Sequence, residues 1–199
     1  MDKYDASNDH YCYSGTSVLK NLLNIQNMDE LEIAEREVTS FTVTSIRYQA
    51  PPYNLEYLQQ LHRYLFSSLY SWAGELRDVD IRKGGTYFCN CRFMISEATK
   101  LFNKLENNNW LAGLSKDEFC EKLAFFYCEF NMIHPFREGN GRVQRLFFEH
   151  IALSAGYELD WENVEQNEWI RANIDGVNVS SEPMKMIFKR IVTSCNSNF

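Results

Sequence analysis

Between Ser115 and Gly156 the chain carries two apolar helix patterns joined by a short polar loop, and this pair constrains the fold more than any other stretch. Ser115-x-x-Glu118 is a capping-box signature. Phe119, Leu123, Phe126, Tyr127 and Phe130 follow at helical spacing, which predicts a largely buried helix. That helix must end near His134, because the residue before Pro135 is pushed out of the α region. A second helix is expected from about Gly141 to Ala155, with Leu146, Phe147, Phe148, Ile151 and Ala152 on its apolar side and Gly156 as its stop.

The remainder reads mostly as helix. Leu31 to Val38 combines strong helix formers with apolar positions three and four apart. Pro51-Pro52 interrupts, and Leu55, Leu58, Leu61, Leu65 and Leu69 then form a helical stripe that Trp72-Ala73-Gly74 ends. Further helices are expected over 96–106, 161–173 and 182–193. One segment has strand character: Asp78 to Arg82 alternates, Lys83-Gly84-Gly85 supplies turn chemistry, and Thr86 to Cys89 favours β structure. A short exposed hairpin is expected there, leaning on the helices or on a partner. The class is therefore all-α with one hairpin.

Composition narrows the function. A hydrophobic fraction of 45% supports one substantial core, and no run approaches the ~18 apolar residues of a membrane span. Residues 1–5 lack the basic-then-apolar order of a secretory signal, so the cytoplasm is the simplest location. The net charge is −7 and no Lys/Arg cluster stands out, which argues against direct nucleic-acid binding. Of six cysteines only Cys89-x-Cys91 is close-spaced, without the second pair of a four-ligand zinc site, so reduced thiols and no such metal are expected.

The loop between the two helices carries the chemistry. It reads His134-Pro135-Phe136-Arg137-Glu138-Gly139-Asn140-Gly141-Arg142-Val143-Gln144-Arg145. A helix N-terminus with free N–H groups and a positive dipole end attracts phosphate. Gly139 and Gly141 are expected to reach φ > 0 and to let a ligand approach the backbone. Arg142 and Arg145, three apart, share a helix face and match phosphate oxygens. Glu138 suits Mg²⁺, which takes a carboxylate with phosphate oxygens and water. His134 can accept a proton near neutral pH. Taken singly, each has a blander reading as a helix-end histidine, a loop acid or a surface arginine; their joint order favours attack by a hydroxyl on a nucleotide phosphate.

This twelve-residue segment resembles the full signature of Fic-domain proteins, with no position departing from it. Trp72-Ala73-Gly74-Glu75-Leu76-Arg77 and Val79-x-Ile81-x-Lys83-Gly84 resemble the family's approach to its β-hairpin flap. Tyr13-Ser14-Gly15-Thr16-x-Val18-Leu19-Lys20-Asn21 is similar to the N-terminal segment of bacterial toxin-like members. The resemblance implies a single Fic domain over 1–199, a helical bundle with core about 10–193, flap about 79–88 and motif 134–145. It implies transfer of AMP from ATP to a hydroxyl of a target protein. His134 is then the general base and Glu138 the Mg²⁺ ligand. Gly139, Asn140 and Gly141 surround the α- and β-phosphates, Arg142 meets the β-phosphate and Arg145 the γ-phosphate. Ile81, Lys83, Gly84 and Phe88 belong to the flap that docks the target, with Ile81 and Phe88 either clamping it or simply packing the hairpin.

Related Doc proteins carry lysine in place of the second glycine and phosphorylate; Gly141 therefore favours AMP transfer. Transfer of another phosphate-containing group, or a catalytically silent nucleotide-binding module, remains open on the motif alone. Many relatives carry an inhibitory Ser/Thr-x-x-x-Glu-Gly/Asn helix. Here Ser71 to Glu75 is followed by Leu76 and Ser154 to Glu158 by Leu159, so neither completes it. The resemblance thus implies a stand-alone toxin restrained by a small antitoxin whose glutamate reaches Arg145, with the ATPase subunits of DNA gyrase and topoisomerase IV as targets.

Overall fold

The computed structural model describes residues 9–195 and, for their backbone alone, residues 5 and 6. Residues 1–4, part of the stretch read above for a leader, lie outside it. The chain is mostly helical, as expected, with small antiparallel strands. The helices are α1 (Met28–Val43), α2 (Leu55–Phe66), α3 (Met94–Asn107), α4 (Lys116–Ile133), α5 (Asn140–Ser154), α6 (Gln166–Asn178) and α7 (Glu182–Ile191).

Local chemistry explains their starts. The Asn27 side chain accepts the Asp29 and Glu30 N–H groups at 2.9 and 3.1 Å and caps α1. Asn54 does the same for α2 through Tyr57 N–H at 2.9 Å. At α4 the Glu118 carboxylate accepts the Ser115 N–H at 3.1 Å, as the capping box predicts. α4 is the hub, packed against α3, α5, α6 and α7. Its Phe130 ring meets Phe147 and Phe148 of α5 at 5.3 and 5.7 Å, and Tyr127 meets Phe188 of α7 at 5.6 Å. Such edge-on aromatic pairs add to the area they bury. Its apolar residues are buried while Glu121, Lys122 and Glu129 stay exposed, so α4 is largely but not wholly enclosed, as its sequence requires.

Several boundaries move. α1 is longer than the 31–38 pattern, and α6 starts after a 3-10 turn at Trp161–Asn163 instead of at 161. The hairpin forms as β2 (Ile81–Lys83) and β3 (Thr86–Tyr87). Two features were not expected. The N-terminal strand β1 (Asp5–Ala6) pairs antiparallel with β2, Ala6 opposite Ile81. A two-stranded antiparallel sheet, β4 (Tyr157–Leu159) with β5 (Val192–Ser194), joins the segment after α5 to the end of α7. The six cysteines are all free thiols.

Candidate active site

His134 ends α4 in the left-handed region, φ 45° and ψ 62°. This turns the chain out of the helix one residue before the proline, at a strain typical of working sites. The side chain is buried. Its Nδ1 lies 2.9 Å from the Asn131 carbonyl. A carbonyl only accepts, so Nδ1 carries the proton and the lone pair sits on Nε2. Burial, reinforced by the positive charges of Arg77 and Lys83 and opposed by the Asn131 hydrogen bond, lowers the pKa to about 3. The ring is a neutral base at physiological pH. Phe88 of the flap stacks on it at 3.8 Å and 18°.

The loop to α5 is tightly tied. Asn140 Oδ1 accepts the Phe136 N–H at 2.9 Å, and its Nδ2 donates to the Phe136 carbonyl at 2.6 Å. The Asn140 side chain therefore closes the loop; only its backbone is available to an anion. Gly139 has φ +79°, and a Cβ there would lie 2.4 Å from the Phe66 ring, so this position excludes a side chain twice over. Gly141 differs from expectation. It lies in the first turn of α5 without a positive φ, and a Cβ there would meet nothing within 4 Å. Its lack of a side chain leaves space at the helix N-terminus instead of serving the backbone.

Glu138 is buried, and its Oε1 accepts the Gly139 N–H at 2.9 Å and faces Arg142 at 3.5 Å. The two motif arginines are not equivalent. Arg142 forms an ion pair with the buried Glu35 of α1 at 2.6 Å and lies over the Phe66 ring at 4.7 Å. Arg145 is exposed and has no ion pair among the described residues. Arg137, fully buried, is held by Asp9 at 2.5 Å and anchors the N-terminal segment to the loop.

Three further groups shape the site from a distance. His62 of α2 accepts the Gly74 N–H on Nδ1 at 2.8 Å, which commits its Nε2–H to the Glu138 carbonyl at 3.1 Å. Burial lowers its pKa to about 3 as well. The Tyr70 hydroxyl donates to Glu35 Oε1. Arg77 reaches the His134 carbonyl at 2.8 Å. None of these carries a local sequence signal, apart from Arg77 within the Trp72–Arg77 stretch.

Residues 52–152, half of the chain, match the family model described as Fic/DOC family. The chain belongs to the Fic/DOC family. It is 38% identical over 197 residues to a protein named probable protein adenylyltransferase Fic of Escherichia coli (strain K12), covering 99% of this chain and 98% of that one. It is 36% identical over 203 residues to the protein adenylyltransferase VbhT of Bartonella schoenbuchensis, covering 100% of this chain and 42% of that one. The N-terminal Fic domain of a Bartonella quintana VirB-translocated Bep effector, crystallised with bound ADP, superposes with a TM-score of 0.88 at 30% identity, covering 94% and 96% of the two chains. BepC of Bartonella tribocorum, with bound AMPPNP, gives 0.86 at 28% identity, covering 94% and 97%.

Within this Fic fold the flap residues occupy distinct environments. Ile81 is buried and packs the hairpin, whereas Lys83 and Gly84 are exposed at its tip. Both edges of β2 are paired, to β1 and to β3. Among the described residues no cluster of three metal-ligating side chains exists. That fits Mg²⁺ rather than a caged ion, since Mg²⁺ accepts one carboxylate and completes its shell with phosphate oxygens and water. Glu138 is the one carboxylate within residues 134–145.

Proposed function

We propose that this chain is a protein adenylyltransferase that moves AMP from ATP to a hydroxyl of a target protein. The observation that carries the reading is His134: a neutral imidazole with Nδ1 committed to Asn131, at one end of a loop whose other end is the open N-terminus of α5. His134 Nε2 takes the proton of the attacking hydroxyl. The new bond joins that oxygen to the α-phosphorus, the bond to the β-phosphate oxygen breaks, and pyrophosphate leaves. Backbone N–H groups from Gly139 to Gly141 and the α5 dipole stabilise the charge that develops. Glu138 would hold Mg²⁺, which supplies charge neutralisation of the phosphates. The relatives' names and the nucleotides bound in the Bep-type structures support this assignment.

The test is incubation of the protein with Mg²⁺, lysate and ATP labelled at either the α- or the γ-phosphate. Label from the α-position on protein is the expected result. γ-Label on protein would mean a kinase, free phosphate alone a hydrolase, and no turnover a binding module.

Control comes in trans in this reading. A small antitoxin offers a carboxylate to Arg145, the exposed motif arginine, since Arg142 already holds Glu35. Co-expression with a neighbouring small reading frame should abolish labelling; undiminished labelling would remove this part. The flap docks the target, with the ATPase subunits of gyrase and topoisomerase IV as the first substrates to try. No helix among the described residues is long and apolar enough to cross a membrane.

A further inference from the structure

Arg77 is the most deeply placed cation among the described residues outside the motif, with a side chain 0% exposed. It does not face a carboxylate closely; Asp80 is 3.8 Å away. Its guanidinium instead donates to four main-chain carbonyls. Nε reaches His134 at 2.8 Å, Nη1 reaches Val79 at 2.7 Å, and Nη2 reaches Cys89 at 2.5 Å and Ile133 at 3.3 Å. The Arg77 N–H donates to the Pro135 carbonyl at 2.9 Å. Val79 precedes β2 and Cys89 follows β3, so both stems of the flap end on this one side chain. Ile133 and His134 supply orphan carbonyls at the C-terminus of α4, a helix with no basic residue in its own last turn. A neighbouring backbone bond, Cys89 N–H to the Met132 carbonyl at 2.9 Å, closes the same junction.

We infer that Arg77 is a positioning residue that locks the two stems of the flap and the backbone of His134 into one rigid unit, and so sets the distance between a flap-docked hydroxyl and the base. This rests on the reading of His134 as base and of residues 79–88 as the docking flap. A guanidinium spreads five donors over three nitrogens and reaches carbonyls of three separated segments, whereas an ammonium's three donors all radiate from one nitrogen and cover a smaller span. The anion site lies at the far end of the loop, at the start of α5, and does not touch Arg77. Loosening this junction therefore changes acceptor alignment and leaves nucleotide capture intact.

Two measurements test it. In the wild-type protein, native-state hydrogen exchange should show the Arg77, Cys89 and His134 amides opening together with one free energy, as members of one cooperative unit. A Cys89 amide that opens independently of His134 would overturn the inference without any variant. Arg77→Lys should keep its ADP affinity within about twofold and its half-saturating ATP concentration unchanged. Its initial rate of α-label incorporation at saturating ATP should fall by about tenfold to a hundredfold, the usual cost of an ångström-scale misplacement. Wild-type transfer by Arg77→Lys, or a parallel loss of ADP binding, would overturn it. Failure of the underlying reading looks different: His134→Ala would then label protein as well as wild type, whatever the exchange data show.

Discussion

Glu35 and Arg142, 107 residues apart in the chain, meet as an ion pair at 2.6 Å, with the Tyr70 hydroxyl donating to the other oxygen of Glu35. The motif arginine assigned to the β-phosphate is thus shared with a carboxylate from α1. Glu35→Gln keeps the shape and the Tyr70 contact but removes the competing charge. ADP should bind about fivefold tighter to it, about 1 kcal/mol, by calorimetric titration. Unchanged affinity would mean that Arg142 does not serve the nucleotide.

The two motif glycines should separate stability from binding. Gly139→Ala meets the Phe66 ring at 2.4 Å with a positive φ, and its midpoint in urea unfolding should drop by the equivalent of about 3 kcal/mol. Gly141→Ala meets nothing and gains helix propensity, so its stability should stay within about 1 kcal/mol of wild type. If phosphate binds at the start of α5 as proposed, its ADP affinity should nonetheless fall, because the methyl enters the open space there. Equal stability losses in the two variants would refute the distinction.

Acid should destabilise the fold before it titrates the base. His62 and His134 stay neutral when folded, with pKa values lowered to about 3 chiefly by burial. Unfolded, they take protons below about pH 6.5. The unfolded state then binds more protons, so their contribution to stability is present above pH 6.5 and is lost as the pH falls toward 3. Each histidine adds a slope of about 1.4 kcal/mol per pH unit in that window. Chemical denaturation from pH 7.5 to 4.5 should show this, and His134→Ala should reduce the slope by one such increment. Over the same range the transfer rate of the folded enzyme should show no protonation step near pH 6.5.

Asp9→Asn removes one charge partner of the fully buried Arg137. Trading that charge-assisted contact for one to a neutral amide costs about 2 kcal/mol. A thermal midpoint within a degree of wild type would show that Asp9 is dispensable to the motif loop.

What was legible in the sequence was what local chemistry dictates. The Ser115–Glu118 cap and the stop at Pro135 are short-range effects, and the structure places them as read; the stripe of α2 holds from Leu55 to Leu65, but the helix ends at Phe66 and Leu69 lies in the turn beyond it. Glu35 was not legible: it lies in a run of Glu and Arg that looks like a solvated helix face, and only the fold brings it under Arg142. His62 sits in a leucine stripe and takes its role from Gly74 and Glu138, neither of them near in sequence. The side chain of Asn140 is engaged by Phe136 four residues back, a tie that the motif's spacing does not announce. The β1 strand escaped notice because two residues carry no alternation, and its pairing with β2 spans most of the N-terminal half of the chain.

If the flap docks the target as proposed, that strand bears on substrate choice. A target that docks by main-chain pairing on the β1 edge of the flap must displace Asp5 and Ala6, which arrive tethered to the same molecule. A tethered rival behaves as though present at roughly millimolar concentration. Short peptides of ordinary affinity lose that contest, and a protein wins it only by gripping the enzyme elsewhere too. The pairing of Asp5 and Ala6 with β2 would then act as a filter on encounter, admitting folded partners with a second foothold and turning away loose strands.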